Sequence, residues 1–320
     1  MARTFDVAVI GGGPAGLTGA IWLARFLHSV VLIDSGDPRN WETRSVNGFL
    51  GLPRITPPEL RTRGRDECRV YGVELIDDIV VDALKLNDEE FALQLVDGGS
   101  VRARRLLLAI GIRDVWPEVP GLEHTFGHNA HVCPDCDGYD ARDKKIVVIG
   151  TGRRAVGMAL NLTTWTRDII ICTNGEPAGF DLPEYSEKLD ALNIPVLCEP
   201  IVRVACDGSS IHSLELHDGM HLDADKVFLA MGQYPADDAG TKLSRQLGCE
   251  HDDEGHVVVD AHYHTSVHNV FAAGDIVPGP QLAIAGAADG AIAALAIHKS
   301  LVPEGRKLTP LERSVVTSEA

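Results

Sequence analysis

No stretch of this 320-residue chain approaches the ~18 consecutive apolar residues that a membrane-spanning helix requires. Residues 1–6 run directly into an apolar strand, without the charged start and leader core of an export signal, so a cytoplasmic location is the default expectation. Basic residues are in short supply: 29 lysines and arginines face 46 aspartates and glutamates, a formal net charge of −17. No basic patch collects along the chain, which argues against a nucleic-acid surface and against unaided binding to anionic membranes. The seven cysteines are odd in number, and only Cys133 and Cys136 have close redox spacing. That argues against a secreted disulfide framework, and without a second C-x-x-C a structural zinc site lacks its four ligands. Cys172, at the end of an apolar run, reads as a buried small side chain.

What is present is a short run, Cys133-Pro134-Asp135-Cys136-Asp137-Gly138, between two glycine-rich fingerprints. Two thiols separated by two residues can close a small disulfide ring, and either can attack a disulfide presented by a partner. Asp137 beside them is suited to shuttle a proton or, more plainly, to cap a helix. His128 and His131 lie just upstream as further proton partners, with a structural or exposed role as the simpler reading.

The chain is long enough for two domains. Phe5–Ile10 reads as a strand, Gly11–Gly16 as a tight turn, Leu17–Phe26 as a helix and Val30–Ile33 as the next strand. Strands are expected again at Leu93–Leu95 and Val101–Ala109. The βαβ pattern then repeats: Lys145–Ile149, a turn over Gly150–Ala155, a helix over Val156–Leu162 and a strand over Ile169–Cys172. Val227–Ala230, His256–Val259 and Val270–Ala272 read as strands, Ala283–Ile297 as a helix, and residues 303–320 as a polar tail. The fold class expected is α/β, with two Rossmann-like nucleotide-binding domains and the second inserted in the first: residues 1–116 with 246–320, and residues 117–245.

The first fingerprint, Gly11-Gly12-Gly13-Pro14-Ala15-Gly16, follows a strand and opens a helix, so its backbone can approach a pyrophosphate at a helix N-terminus. Asp34, ending the second strand, is placed to accept from ribose hydroxyls. These residues suit a flavin or a nicotinamide nucleotide alike. Gly150-Thr151-Gly152-Arg153-Arg154-Ala155 has the same form. Gly152 and Ala155 are equally demanded by close helix–sheet packing, and Arg153 and Arg154 suit phosphates or solvent. Gly274-Asp275 lies where a strand end meets the final helix, with Gln281 close enough in sequence to approach the same ligand.

In this order the motifs resemble the low-molecular-weight thioredoxin reductase family over nearly the whole chain, including Met231-Gly232-Gln233-Tyr234-Pro235 and Ala272-Ala273-Gly274-Asp275. The resemblance implies FAD in the first domain, NADPH in the inserted one, a homodimer, and a dithiol passing electrons to a thioredoxin-like protein. Gly11, Gly13 and Gly16 would surround the FAD pyrophosphate, Asp34 the adenosine ribose, Asp275 the ribityl chain, and Asn47 and Gln281 the isoalloxazine. Cys136 would be the cysteine nearer the flavin, Cys133 the one that attacks substrate, and Asp137 the acid.

Two departures stand out. Arg153-Arg154 replaces the usual Asp-Ser pair, and Thr173-Asn174-Gly175 stands where a histidine–arginine stretch is expected. The latter segment, with the run Asp34–Asn40, resembles a divergent branch, which includes oxygen-using oxidases of small-molecule dithiols and members that do not use pyridine nucleotide. Those oxidases usually carry histidine at the position of Asp137. NADPH or ferredoxin as electron donor, an oxygen-dependent dithiol oxidase, and a flavin-bearing redox sensor or binding module are the alternatives the sequence leaves.

Overall fold

The apolar runs near the N-terminus become strands because both of their faces find cover. The computed structural model describes residues 4–40, 42–236 and 242–307. β1 (Thr4–Ile10), α1 (Pro14–Arg25) and β2 (Val30–Ile33) form the first βαβ unit. α2 (Pro57–Val70), β3 (Glu74–Ile76), β4 (Val80–Asn87), β5 (Glu90–Leu95) and the long β6 (Ser100–Leu108) follow. Beyond β7 (Ile112–Asp114), β8 (Ala130–His131) and the one-turn α3 (Pro134–Asp137) comes a second unit of the same kind, β9 (Ile146–Gly150), α4 (Gly152–Leu162) and β10 (Ile169–Cys172). α5 (Pro183–Ala191) and β11 (Val196–Leu197) precede the strands β12 (Ile201–Asp207), β13 (Ser210–Leu216) and β14 (His221–Asp223). β15 (Lys226–Ala230), β16 (Gln233–Pro235), α6 (Leu243–Gln246), β17 (Val270–Ala272) and α7 (Ala283–Leu301) complete the order.

The first sheet runs β3-β2-β1-β6-β5-β4. The first half of β6 pairs antiparallel with β5, and its second half pairs parallel with β17, Val270 opposite Leu106. Side chains alternate across the sheet. Val7, Val9, Val30 and Leu32 join the core under α1 and α7, while Ala8, Ile10, Val31 and Ile33 join the opposite core with Phe91 and Leu93. The second sheet, β11-β10-β9-β15-β8, is parallel throughout and carries the β12-β13-β14 meander as a separate antiparallel layer.

Between the two sheets the chain crosses through a paired ribbon. β7 and β16 run antiparallel, with Ile112 opposite Pro235 and Asp114 opposite Gln233. The α/β architecture with two Rossmann-like lobes is as the sequence leads one to expect.

At three places the structure departs from these expectations or adds to them. His256–Val259 is not a strand: Val257 makes one isolated bridge to His251, and turns hold its neighbours. α2 has no signal in hydrophobic periodicity, since only Pro57 and Cys68 are buried along it. Its start is nevertheless written in the sequence, where Thr56 accepts from the Glu59 amide at 3.3 Å and proline fills the first helical turn. Of the expected tail, Glu304–Arg306 forms a 3-10 turn, and residues 308–320 lie outside the described residues.

Candidate functional site: a nucleotide cradle joined to a disulfide

The three fingerprint glycines are required for different reasons. Gly11 has φ +105, and a side chain there would be driven into the Ala109 carbonyl; one at Gly16 would be driven into the Gly11 carbonyl. A side chain at Gly13 would meet nothing within 4 Å and would instead project into open space. Gly11 and Gly16 therefore serve the backbone, and Gly13 keeps clear the approach to the N-terminus of α1. Pro14 opens that helix, giving up an amide that has no helical partner. α7 crosses α1 so closely that a side chain at Gly290 would strike the Ala15 carbonyl.

Asp34 is buried at the end of β2. Its Oδ1 accepts from the Gly12 amide at 3.1 Å, and its Oδ2 is paired with Arg61 and, at 3.4 Å, with Arg65. Both arginines come from α2. The other end of the site is organised by Arg39, a residue of the run Asp34–Asn40 to which the motifs assign no role. Its guanidinium makes a bidentate pair with Asp114 (2.6 and 2.7 Å) and donates to Asp275 at 3.2 Å and to Gln281 at 3.1 Å. Gln233 donates to Asp114 at 2.9 Å and accepts from Gln281 at 2.7 Å. The fork ties the expected ligand-binding residues Asp275 and Gln281 to β7, and the Gln281–Gln233 bond ties them to β16. Burial opposes charge on Arg39, but the Asp114 carboxylate outweighs it and raises the guanidinium above its ordinary range. Burial pushes the Asp275 carboxyl up, against the pull of Arg39.

Removing this cation strands two acids. Arg39→Leu is expected to cost about 3 kcal/mol of stability, because the buried Asp114 loses a bidentate partner. Urea unfolding of Arg39→Leu and of Arg39→Leu/Asp114→Asn checks this, with partial recovery expected in the double variant.

Cys133 and Cys136 form a disulfide across α3, with Cα atoms 5.3 Å apart. Cys133 caps this turn, its sulfur accepting from the Cys136 amide at 3.1 Å. An amide aimed at that sulfur favours a thiolate there once the bond is reduced. The loop is fixed from both sides. Gly138 lies against the Trp165 ring and Asp135 accepts from Asn161 at 2.9 Å on the second lobe; from the first lobe, Asn47 donates to the Cys136 carbonyl at 2.9 Å. Asp137 makes no side-chain cap. Its carboxylate instead lies 3.3 Å from His131, which is 5% exposed. His128 turns away and accepts from Arg44 at 2.5 Å. Elsewhere, burial pushes the Cys68 thiol up to about 12 and raises that of Cys172, so neither is a ready nucleophile. Cys172 is fully buried, as its place at a strand end suggests.

A cavity of about 560 Å³ joins these parts. Its lining runs from Gly11, Gly13, Pro14, Ala15 and Asp34 past Asn47, Gly274, Asp275 and Gln281 to Cys133, Cys136 and Asp137. Gly16 stands behind it, in the packing of turn on strand. The donor set fits a dinucleotide: a glycine cradle at a helix N-terminus, an acid at the end of β2, and polar side chains toward the disulfide.

The second fingerprint lies elsewhere. Gly150, Gly152, Arg153 and Arg154 contribute nothing to this lining. The Gly152 amide, at the head of α4, donates to the Ala178 carbonyl at 2.8 Å, and the Arg154 guanidinium is laid against Gly232 and lies 3.9 Å from Glu254. Thr173 and Asn174 are already engaged, Thr173 within its own turn, donating to the Glu176 carbonyl at 2.5 Å, and Asn174 with β12, accepting from the Ile201 amide at 2.8 Å.

The site is thus a dinucleotide-shaped cradle that opens onto a disulfide. Residues 5–290 match the family described as pyridine nucleotide-disulphide oxidoreductase. The chain belongs to that family, in its low-molecular-weight, thioredoxin-reductase-like part, and membership implies an FAD-binding oxidoreductase. It is 30% identical to a probable thioredoxin reductase of Arthroderma benhamiae over 60% of this chain and 51% of that one. To a component of the alkyl hydroperoxide reductase of Pseudomonas putida it is 28% identical, over 94% and 59% of the respective lengths. The chain thus spans between half and three-fifths of these relatives. Among solved structures, that of HlmI superposes with a TM-score of 0.88 at 32% identity, covering 94% of each chain. Among the described residues no helix is long and apolar enough to cross a membrane.

Proposed function

We propose that this chain is an FAD-dependent thiol–disulfide oxidoreductase that reduces the disulfide of a thioredoxin-like protein through Cys133 and Cys136. The observation that carries the proposal is the single cavity reaching from the Gly11–Gly16 cradle to the disulfide. In this reading Gly13 and the head of α1 hold the pyrophosphate, Asp34 the ribose, and Asn47, Asp275 and Gln281 the end nearest the cysteines. When bound, FAD supplies a two-electron store. The Cys133 thiolate attacks one sulfur of the partner disulfide, breaking that bond and forming a mixed disulfide. Cys136 then attacks Cys133, closing the intramolecular bond and releasing the partner as a dithiol. Asp137 handles a proton as these thiolates form and leave. Residues 117–245 form the inserted, NAD(P)H-binding-like domain, with Gly150, Gly152, Arg153 and Arg154 at its nucleotide turn, and the β7–β16 ribbon is the hinge by which the dithiol loop leaves the flavin for its partner. The donor is NADPH or reduced ferredoxin, and the working unit a cytoplasmic homodimer.

A second reading is favoured by one feature. The Gly152 amide, which a nucleotide phosphate would use, is already bonded to Ala178. If that turn stays closed, electrons enter from a small-molecule dithiol and leave to oxygen. Anaerobic addition of stoichiometric NADPH, then NADH, reduced ferredoxin or a dithiol, followed by loss of the flavin band near ~450 nm, decides between them. Bleaching by NADPH or ferredoxin, with thioredoxin reduction, is the expected result. Bleaching by dithiols alone, with thiol-dependent peroxide in air, would establish the oxidase. No response to any of the four would overturn both.

A further inference from the structure

Behind Asp137 lies a partly buried chain of polar groups, with His131 buried at its centre, that the reaction as described leaves without a role. His131 ends β8, and its register neighbour on β15 is Phe228, whose ring tilts against the imidazole with centroids 5.4 Å apart. Nδ1 lies 3.3 Å from Asp137 Oδ2, and Nε2 lies 3.1 Å from the ammonium of Lys226, the first residue of β15. That ammonium also donates to the His128 carbonyl at 2.8 Å.

The chemistry of the partners fixes the protons. An ammonium carries donors only, so the nitrogen facing it must offer a lone pair; the imidazole proton then belongs on Nδ1, aimed at the carboxylate. We propose that Lys226 and His131 are positioning residues for the redox dithiol: the ammonium holds the imidazole proton on Nδ1, and that N–H pins Asp137 beside Cys133 and Cys136. This rests on the reading of Cys133–Cys136 as the working pair.

The remaining charged groups around the chain are few. Asp140 follows α3, Lys144 precedes β9, and Arg44 reaches in from the first lobe onto the His128 ring. Burial lowers the Lys226 ammonium from its ordinary range, with Asp137 and Asp140 opposing and Arg44 and Lys144 reinforcing. Among these groups Lys226 alone donates to Nε2 of His131. Without it, either ring nitrogen can carry the proton, so the N–H that holds Asp137 is lost part of the time and the thiols beside that carboxylate feel the change.

The test follows thiol acidity rather than turnover. The reduced holoprotein is alkylated with iodoacetamide across pH 5 to 9, and modification of the Cys133–Cys136 peptide is read by mass spectrometry, which separates it from the exposed Cys198. Modification is scored at Cys133, and its midpoint in the native protein is the reference. Lys226→Met is expected to move that midpoint by about one pH unit. Lys226→Arg, which keeps a donor to Nε2, is expected to restore the native profile. In Asp137→Asn, adding Lys226→Met should change nothing further. An unchanged profile in Lys226→Met, or an equal change with and without Asp137, overturns the proposal. Should Lys226→Met fail to fold, His131→Leu, which cannot donate to Asp137, is expected to move the midpoint with Asp137 present and to leave it unmoved in Asp137→Asn. Alkylation reports on the thiols whether or not they exchange electrons with flavin. Dithiol bleaching of the flavin in Cys136→Ser tests that exchange separately, so either reading can fail alone.

Discussion

Cys136→Ser is expected to keep its fold and its flavin while losing about a thousandfold or more of its turnover with a disulfide substrate. The fold survives because both hydrogen bonds at this position are made by the backbone. The amide donates to Cys133 Sγ at 3.1 Å, and the carbonyl accepts from Asn47 at 2.9 Å. A three-residue disulfide loop also restrains little of the unfolded chain, so its loss costs little stability. Turnover is lost because a hydroxyl cannot resolve the mixed disulfide that Cys133 forms. Cys133→Ser is expected to be as inactive, for want of the attacking thiolate. Far-UV circular dichroism, the flavin spectrum and steady-state assays check the set; full activity in either variant would remove the disulfide from the mechanism.

The second large effect separates two glycines of one fingerprint. Gly16→Val is expected to cost about 3 kcal/mol or more, since its side chain would be driven into the Gly11 carbonyl, and backbone in a turn between a buried strand and helix has little room to yield. Gly13→Val meets no protein atom within 4 Å and is expected to leave the stability of the apoprotein nearly unchanged. Its isopropyl group instead occupies the approach to the α1 N-terminus, so purified Gly13→Val should retain little FAD and bind added FAD far more weakly. Thermal unfolding of the apoproteins and fluorescence titration with FAD separate the two. Equal FAD affinity in Gly13→Val and the native chain would move the pyrophosphate away from this cradle.

How much of this could be read from the sequence depended on the kind of signal each residue carries. The two βαβ units were legible because parallel strands buried on both faces appear as unbroken apolar runs, and the glycine turns punctuate them. α2 was not, since a helix that buries only Pro57 and Cys68 has no apolar stripe, and Arg61 and Arg65 on it were therefore lost as partners of Asp34. Arg39 was visible in the run Asp34–Asn40, but its partners Asp114, Asp275 and Gln281 are 75 to 242 residues away, a separation no local pattern reports. Asp137 was singled out beside the cysteines, and His131 as a proton partner; Lys226, at the start of a strand 95 residues from His131, was not. His256–Val259 misled for the opposite reason: its run of β-branched valines suits a strand, yet its neighbours are taken up by turns.

The central claim is that the disulfide and the flavin form one redox unit. Anaerobic titration with dithionite, following the flavin band, tests it most directly. Roughly four electrons per chain are predicted for the native protein, two for the flavin and two for the disulfide, against roughly two for Cys136→Ser. Roughly two electrons in both would show that the disulfide does not share electrons with the flavin, and would contradict the account.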